Sequence, residues 1–65
     1  MCLSKIYIKD TDKNILVVDE AARVVNNDGV ITISTLLGNE KELKGYLVKE
    51  VNLVDNFILL KPEEE

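Results

Sequence analysis

Apolar and polar residues alternate with a period of two along much of the chain, which is the pattern of half-buried β-strands. Ile6 and Ile8 share one face of the first predicted strand, and Ile31 and Ile33 share one face of a later strand. The residues between them on each strand belong to the opposite face. The pattern therefore predicts strands whose isoleucine side chains point into a core.

Short polar segments separate the apolar runs and predict turns. Residues 10–14 have a turn composition, because short polar side chains hydrogen-bond their own backbone. The Asn-Asp-Gly sequence at 27–29 lies between two β-branched runs and is typical of a hairpin, since glycine adopts positive φ without steric cost. Residues 38–39 and 55–56 predict two more turns, and Gly45 indicates a bulge or a sharp bend.

Three further segments complete the secondary-structure prediction. Residues 15–18 form an apolar run without alternation, which predicts a fully buried strand. Residues 19–22 have some helix character and predict a single helical turn. Alternation in the next-to-last strand places Leu47 and Val51 on the face opposite Val48.

Six or seven short strands, spaced about eight to twelve residues apart, are typical of a small all-β sandwich or barrel. We predict an SH3-like barrel, or an OB-like one, built of short antiparallel strands. Closure into a barrel hides strand edges that otherwise aggregate. Residues 1–62 are predicted to form the single domain, and residues 63–65 a solvated acidic tail.

The composition limits both stability and chemistry. The chain has 65 residues, and a domain of this size buries only about 60% of its unfolded surface, so its core is marginal. A disulfide, a metal or a partner chain is expected to reinforce it. The single cysteine cannot close a disulfide within the chain, which leaves a metal or a partner.

Several function classes are disfavoured by the same composition. There is no histidine and hence no imidazole base, so we predict that the protein is not an enzyme. Eight basic against twelve acidic residues give no basic stripe for nucleic acid. No apolar run approaches the ~20 residues of a membrane span. A lone cysteine without an export signal predicts a reducing, cytoplasmic location.

Cys2 is the candidate metal ligand. A cysteine at this position adds little packing, and its thiolate is next to the α-amino group. If Met1 is retained, the terminal amine, the Cys2 amide nitrogen and the Cys2 sulfur form two fused five-membered rings around one ion. If Met1 is removed, the Cys2 amine and sulfur form one ring and the Leu3 amide can join. Such nitrogen and thiolate donors suit square-planar Ni(II) or Cu(II).

One chain offers a single thiolate, so a structural zinc site with four side-chain ligands is disfavoured. Two chains related by a two-fold axis would supply two sulfurs and up to four nitrogens. A symmetric dimer would thus complete the coordination sphere and would also cover surface that a small barrel leaves exposed. Cu(II), Ni(II) and Co(II) overlap in ligand preference, so the donors alone leave the metal open.

The sequence resembles the CooT family of small nickel-binding proteins over nearly its whole length. The likeness lies in the opening residues 1–7 (Met-Cys-Leu-Ser-Lys-Ile-Tyr), in 30–38, around Gly45 and in 51–60. The resemblance implies a homodimeric SH3-like barrel that binds Ni(II) through Cys2. It also implies nickel delivery to a client such as carbon monoxide dehydrogenase, with nickel as cargo rather than as a catalytic cofactor.

Two other functions remain as alternatives. Relatives have carried an RNA-binding label, and small barrels bind single strands on one face, although only Lys5, Lys9 and Lys13 come near to a basic cluster here. The second alternative is a ligand-free protein-interaction module in which Cys2 only packs.

Overall fold

The computed structural model describes residues 3–63 and shows an all-β protein in this range, as the sequence predicts. It has six strands: β1 (Ser4–Asp10), β2 (Lys13–Asn27), β3 (Val30–Thr35), β4 (Glu40–Lys44), β5 (Tyr46–Asn52) and β6 (Phe57–Pro62). The predicted helical turn at 19–22 is wrong, because these residues continue the long strand β2.

All six strands belong to one sheet in the order β4-β3-β2-β1-β6-β5. The prediction of antiparallel strands holds for every adjacent pair except β1 and β6, which run parallel. The predicted closed barrel is not formed, since the edge strands β4 and β5 are not hydrogen-bonded to each other. Only Gly45 separates them in the chain, so the sheet must curl until its two edges meet there. The resulting sheet is open, and it is compatible with an SH3-like fold.

Strand β2 makes this curl possible because it bends. Its first part pairs with β1 as far as Ala21, which lies opposite Ser4, and from Ala21 onward it pairs with β3. Register shifts accompany the bend, between Ser4 and Ile6 on β1 and between Ala21 and Arg23 on β2. A register shift means that one strand carries an extra residue, and such a bulge bends the strand and increases its twist. Ala21 is buried at the bend, where a small side chain lets the two halves of the sheet approach.

The two halves of the bent sheet enclose the core. Ile6, Val18 and Leu60 belong to the half formed by β2, β1, β6 and β5, while Ile31 and Ile33 belong to the β3–β4 half. Four of these side chains are fully buried: Ile6, Ile31, Ile33 and Leu60. The predicted alternation in β1 and β3 is therefore confirmed.

Two sequence predictions about facing side chains are wrong. In 15–18 only Val18 is buried, whereas Ile15 and Leu16 are 46% and 48% exposed. This part of β2 pairs with β1 but not with β3, whose pairing with β2 begins at Ala21, so one of its edges is open. In β5, Val48 pairs with Leu60 and Val51 pairs with Ile58. The register shift between Val48 and Glu50 adds one residue, and it brings Val48 and Val51 to the same face.

The turns agree with the sequence except in length. Asp28 and Gly29 both have positive φ, 53° and 81°, as a two-residue hairpin of type I′ requires. The turn predicted at 10–14 is shorter than expected, because Lys13 pairs directly with Asp10 and starts β2. Gly45 has φ of 80°, in agreement with the predicted sharp bend.

The bent sheet has two distinct ends. We call the end at which β2 bends at Ala21 the corner end, and the opposite one the Gly45 end. At the Gly45 end the backbone N–H of Glu63 donates to the Gly45 carbonyl at 2.7 Å, directly after β6. Glu64 and Glu65 lie outside the described residues, so the division into a domain at 1–62 and a tail stays a prediction.

Candidate functional site

The N-terminal segment joins the sheet at the corner end. Strand β1 lies between β2 and β6, so it is hydrogen-bonded on both sides. Ser4 lies opposite Ala21, and the backbone N–H of Lys5 donates to the Asn56 carbonyl at 3.0 Å. Leu3 precedes β1 and is half-buried. The other two predicted ligands, Met1 and Cys2, lie outside the described residues.

The β3–β4 turn lies beside this point and carries two leucines. Thr35 fixes the turn: its carbonyl accepts from Gly38 N–H at 3.1 Å, and its hydroxyl accepts from Asn39 N–H at 3.2 Å. Gly38 has φ of 92°, a conformation that glycine adopts without strain. Leu36 and Leu37 are the two residues between these anchors, and both are exposed.

The β5–β6 turn is fixed in a similar way at the same end. The side-chain oxygen of Asn52 accepts from the N–H groups of Val54 and Asp55 at 3.0 and 2.8 Å. This Asx arrangement holds a tight turn, in which Asn56 has φ of 57°. Leu53 and Val54 form the tip of the turn and are exposed.

The pairing of the strands brings both turns close to the N-terminal segment. Ser4, Ala21 and Thr35 form one row across β1, β2 and β3. Adjacent strands lie about 4.8 Å apart, so Thr35 is roughly 10 Å from Ser4. On the other side Lys5 pairs with Phe57, and Phe57 pairs with Asn52.

We call the apolar tips of the two turns the leucine face. Leu36 is 62% exposed, Leu37 89%, Leu53 82% and Val54 90%. Turns are normally made of glycine, proline and short polar residues. Four large apolar side chains at two turn tips are therefore not required by the turns themselves.

A shallow groove of about 340 Å³ lies between the β3–β4 turn and strand β2. Val18 and Leu37 line its apolar part, and Asp19 and Glu20 add two exposed carboxylates. The groove thus places negative charge at the corner end, which favours the approach of a cation.

Side chains suited to metal binding are dispersed elsewhere in the structure. Over residues 3–63, no three His, Cys, Asp or Glu side chains lie close enough together to hold an ion. The same range contains no helix of the length and apolar character needed to cross a membrane.

The sequence analysis identified only part of this end of the molecule. It selected Leu3 but not the leucine face. The available signal was an apolar pair within each of two turns that otherwise contain threonine, glycine, asparagine and aspartate.

These observations define a small all-β protein with a bent, open sheet and an apolar corner end. The family model described as CO dehydrogenase accessory protein CooT matches residues 1–61, and the chain belongs to this family. No curated protein matches the sequence. The crystal structure of a CooT candidate from Carboxydothermus hydrogenoformans has a similar fold, with a TM-score of 0.85 at 24% sequence identity. The match covers 95% of this chain and 98% of that chain.

Proposed function

We propose that the protein is a cytoplasmic Ni(II) metallochaperone or store that serves carbon monoxide dehydrogenase maturation as a homodimer. Membership of a family of CO dehydrogenase accessory proteins is the observation that carries this proposal. A protein that binds nickel and releases it to the enzyme would fill such a role without catalysis of its own. Nickel is then cargo rather than a resident cofactor.

The proposed ligands are the Cys2 thiolate and backbone nitrogens of Met1, Cys2 or Leu3. Thiolate and nitrogen donors in five-membered chelate rings suit square-planar Ni(II). The dispersal of the acidic side chains over residues 3–63 supports this choice, since it offers no competing cluster of ligands. A ligand set near a chain terminus is also accessible for transfer of the ion to a client.

The corner end supports the dimeric form of this proposal. Ser4 pairs with Ala21 and Lys5 donates to the Asn56 carbonyl, so the start of β1 is held on both sides. Cys2 is only two residues before Ser4, a reach of at most about 7 Å. Two chains that meet at this end would bring their thiolates within reach of one ion. Whether one ion binds per chain or per dimer depends on that approach.

Calorimetric titration of Ni(II) into the purified protein tests the ligation. We expect Cys2→Ser to weaken nickel binding at least 100-fold, because no other thiolate exists in the chain. Ser4→Ala, two residues away on the same segment, is the matched control and is expected to bind like the wild type. Affinity should fall as the pH is lowered, since the thiol and the amine must lose protons to bind. Undiminished binding by Cys2→Ser would refute the ligation.

A further inference from the structure

The first part of β2 has an edge that no other strand occupies. β1 and β3 lie on opposite sides of β2, since Ala21 pairs with Ser4 of β1 and with Thr35 of β3. Pairing with β3 begins only at Ala21, whereas pairing with β1 extends back to Lys13. In the part of the chain that the structure describes, the side of 13–20 that faces away from β1 therefore has no strand beside it. Alternate residues of such an edge direct backbone N–H and C=O groups outward, where another strand can pair with them.

This edge has a regular part and a bent part. Residues 13–16 pair with 7–10 of β1 without a register shift, so they keep the extended geometry of a ladder. Both register shifts between β1 and β2 fall within 17–20, and they bend the strand there. The groove of about 340 Å³ lies beside the bent part, between 17–20 and the β3–β4 turn. It marks the position that a strand in line with β3 would take.

Two apolar side chains flank the regular part on both faces of the sheet. Ile15 and Leu16 are successive residues of a strand and so point to opposite faces. They are 46% and 48% exposed. An extended segment paired with this edge would place its own side chains next to both of them, as cross-strand neighbours do.

The charge beside the edge indicates the kind of segment that fits it. Asp19 and Glu20 line the groove and are exposed, and the formal net charge of −4 attracts positively charged segments at long range. The one cation of the segment, Lys13, lies at its opposite end, about 20 Å from Asp19 along the strand. A second copy carries the same carboxylates and the same net charge, so it is a poor occupant.

We infer that an extended segment of a partner protein adds to this edge of β2 as a further strand. The segment has apolar residues beside 13–16 and lysine or arginine beside Asp19 and Glu20. In this mode of recognition, backbone hydrogen bonds supply affinity and the flanking side chains supply specificity. The surface is separate from the proposed metal ligands, so the inference does not depend on nickel binding.

NMR titration of the ¹⁵N-labelled protein tests the inference, with an eight-residue peptide of alternating lysine and valine as the probe. We expect saturable shifts of the backbone amide signals of residues 13–20. Hydrogen exchange of the amides that face away from β1 should slow at least about tenfold at saturation, because pairing protects them. The same peptide with every backbone nitrogen methylated keeps its charge but cannot donate, and it should bind at least about tenfold more weakly.

A second pair of peptides tests the charge. The peptide with glutamate in place of lysine should not bind the wild type. Asp19→Lys combined with Glu20→Lys should reverse this preference, because the variant repels lysine and attracts glutamate. Glu42→Lys, an exposed carboxylate position on β4, is the matched control and should keep the wild-type preference. Circular dichroism verifies that each variant retains the fold.

Two results would overturn the inference. One is equal binding of the methylated and unmethylated peptides, which would mean that charge alone attracts them. The other is a lack of saturable binding at millimolar lysine–valine peptide, in which case the carboxylates only protect the edge from aggregation. Neither result decides the ligation by Cys2, which the titration of Cys2→Ser tests separately.

Discussion

The two ends of the bent sheet differ in how their turns are built. At the Gly45 end, the turns at 11–12 and 28–29 are two residues long and polar, and Glu63 bonds to Gly45. At the corner end the turns are longer and carry the leucine face. The hydrogen bonds that hold the corner-end turns come from Thr35 and Asn52 and not from the apolar side chains, so the turns themselves do not explain why the apolar residues are there.

This contrast separates the requirements of folding from those of function. The two-residue turns at the Gly45 end carry polar residues or glycine, and Gly45 lies where the two edges of the open sheet approach each other. The corner end departs from the usual rules for turn residues beside the point where the proposed metal ligands join the sheet. Departures from local rules are expected at functional sites. Changes at the corner end should therefore affect assembly and metal binding, whereas changes in the turns at the Gly45 end should affect stability alone.

The largest effect on stability is expected from Ala21→Leu at the corner end. The side chain of Ala21 is 4% exposed at the bend of β2, so a larger residue should overpack it and cost about 1–3 kcal/mol of the free energy of unfolding. Urea denaturation measures this cost. Ala22→Leu is the matched control, because Ala22 is exposed, and it should change stability by less than about 0.5 kcal/mol. Equal effects of the two variants would argue against a tightly packed corner.

A smaller effect is expected from Asn52→Ala, which removes the oxygen that accepts from Val54 and Asp55. The loss should be about 1 kcal/mol, because the turn is exposed and water replaces part of the interaction. The variant should also weaken the dimer, since it loosens the tip that carries Leu53. Asn52→Asp retains an acceptor and should lose less stability and less dimer affinity than Asn52→Ala. If Asn52→Ala left dimerisation unchanged, the β5–β6 turn would have no role in assembly.

The smallest effect, and the only stabilising one, is expected at the Gly45 end. Thr11 is β-branched and has φ of 53°, a strained conformation that glycine adopts freely. Thr11→Gly should therefore raise the free energy of unfolding by about 0.5–1 kcal/mol, without changing dimerisation or nickel affinity. Asp12→Gly, at the neighbouring turn position, should not stabilise the protein. A change in nickel affinity in Thr11→Gly would contradict the division between the two ends.

The parts of the fold that depend on neighbouring residues could be predicted from the sequence. The hairpin at 27–29 requires positive φ at Asp28 and Gly29, and asparagine, aspartate and glycine signal this requirement locally. Alternation likewise identified Ile31 and Ile33 as core residues.

Features that depend on distant pairing could not be predicted in this way. The parallel pairing of β1 with β6 joins the two ends of the chain and leaves no local pattern. The segment 19–22 contains two alanines and two acidic residues, which favour a helix in isolation, but Ala21 pairs with Ser4 on one side and with Thr35 on the other, and this keeps the segment in β2. The register shift in β5, which places Val48 on the same face as Val51, likewise depends on pairing with β6 and leaves no local pattern.

The candidate site was accessible to sequence analysis only through its chemistry. Cys2 was found because it is the single thiol and lies next to a terminal amine. The leucine face was not found, because Leu36 and Leu53 are about 17 residues apart and only the pairing of the strands brings both turns to one end.

Native mass spectrometry of the protein with added Ni(II) tests the central claim most directly, because it reports chains and metal in one measurement. The account predicts a nickel-loaded species of two chains for the wild type, and two chains without nickel for Cys2→Ser. Nickel retained by Cys2→Ser at the wild-type level, or a wild type that takes up no nickel, would contradict it.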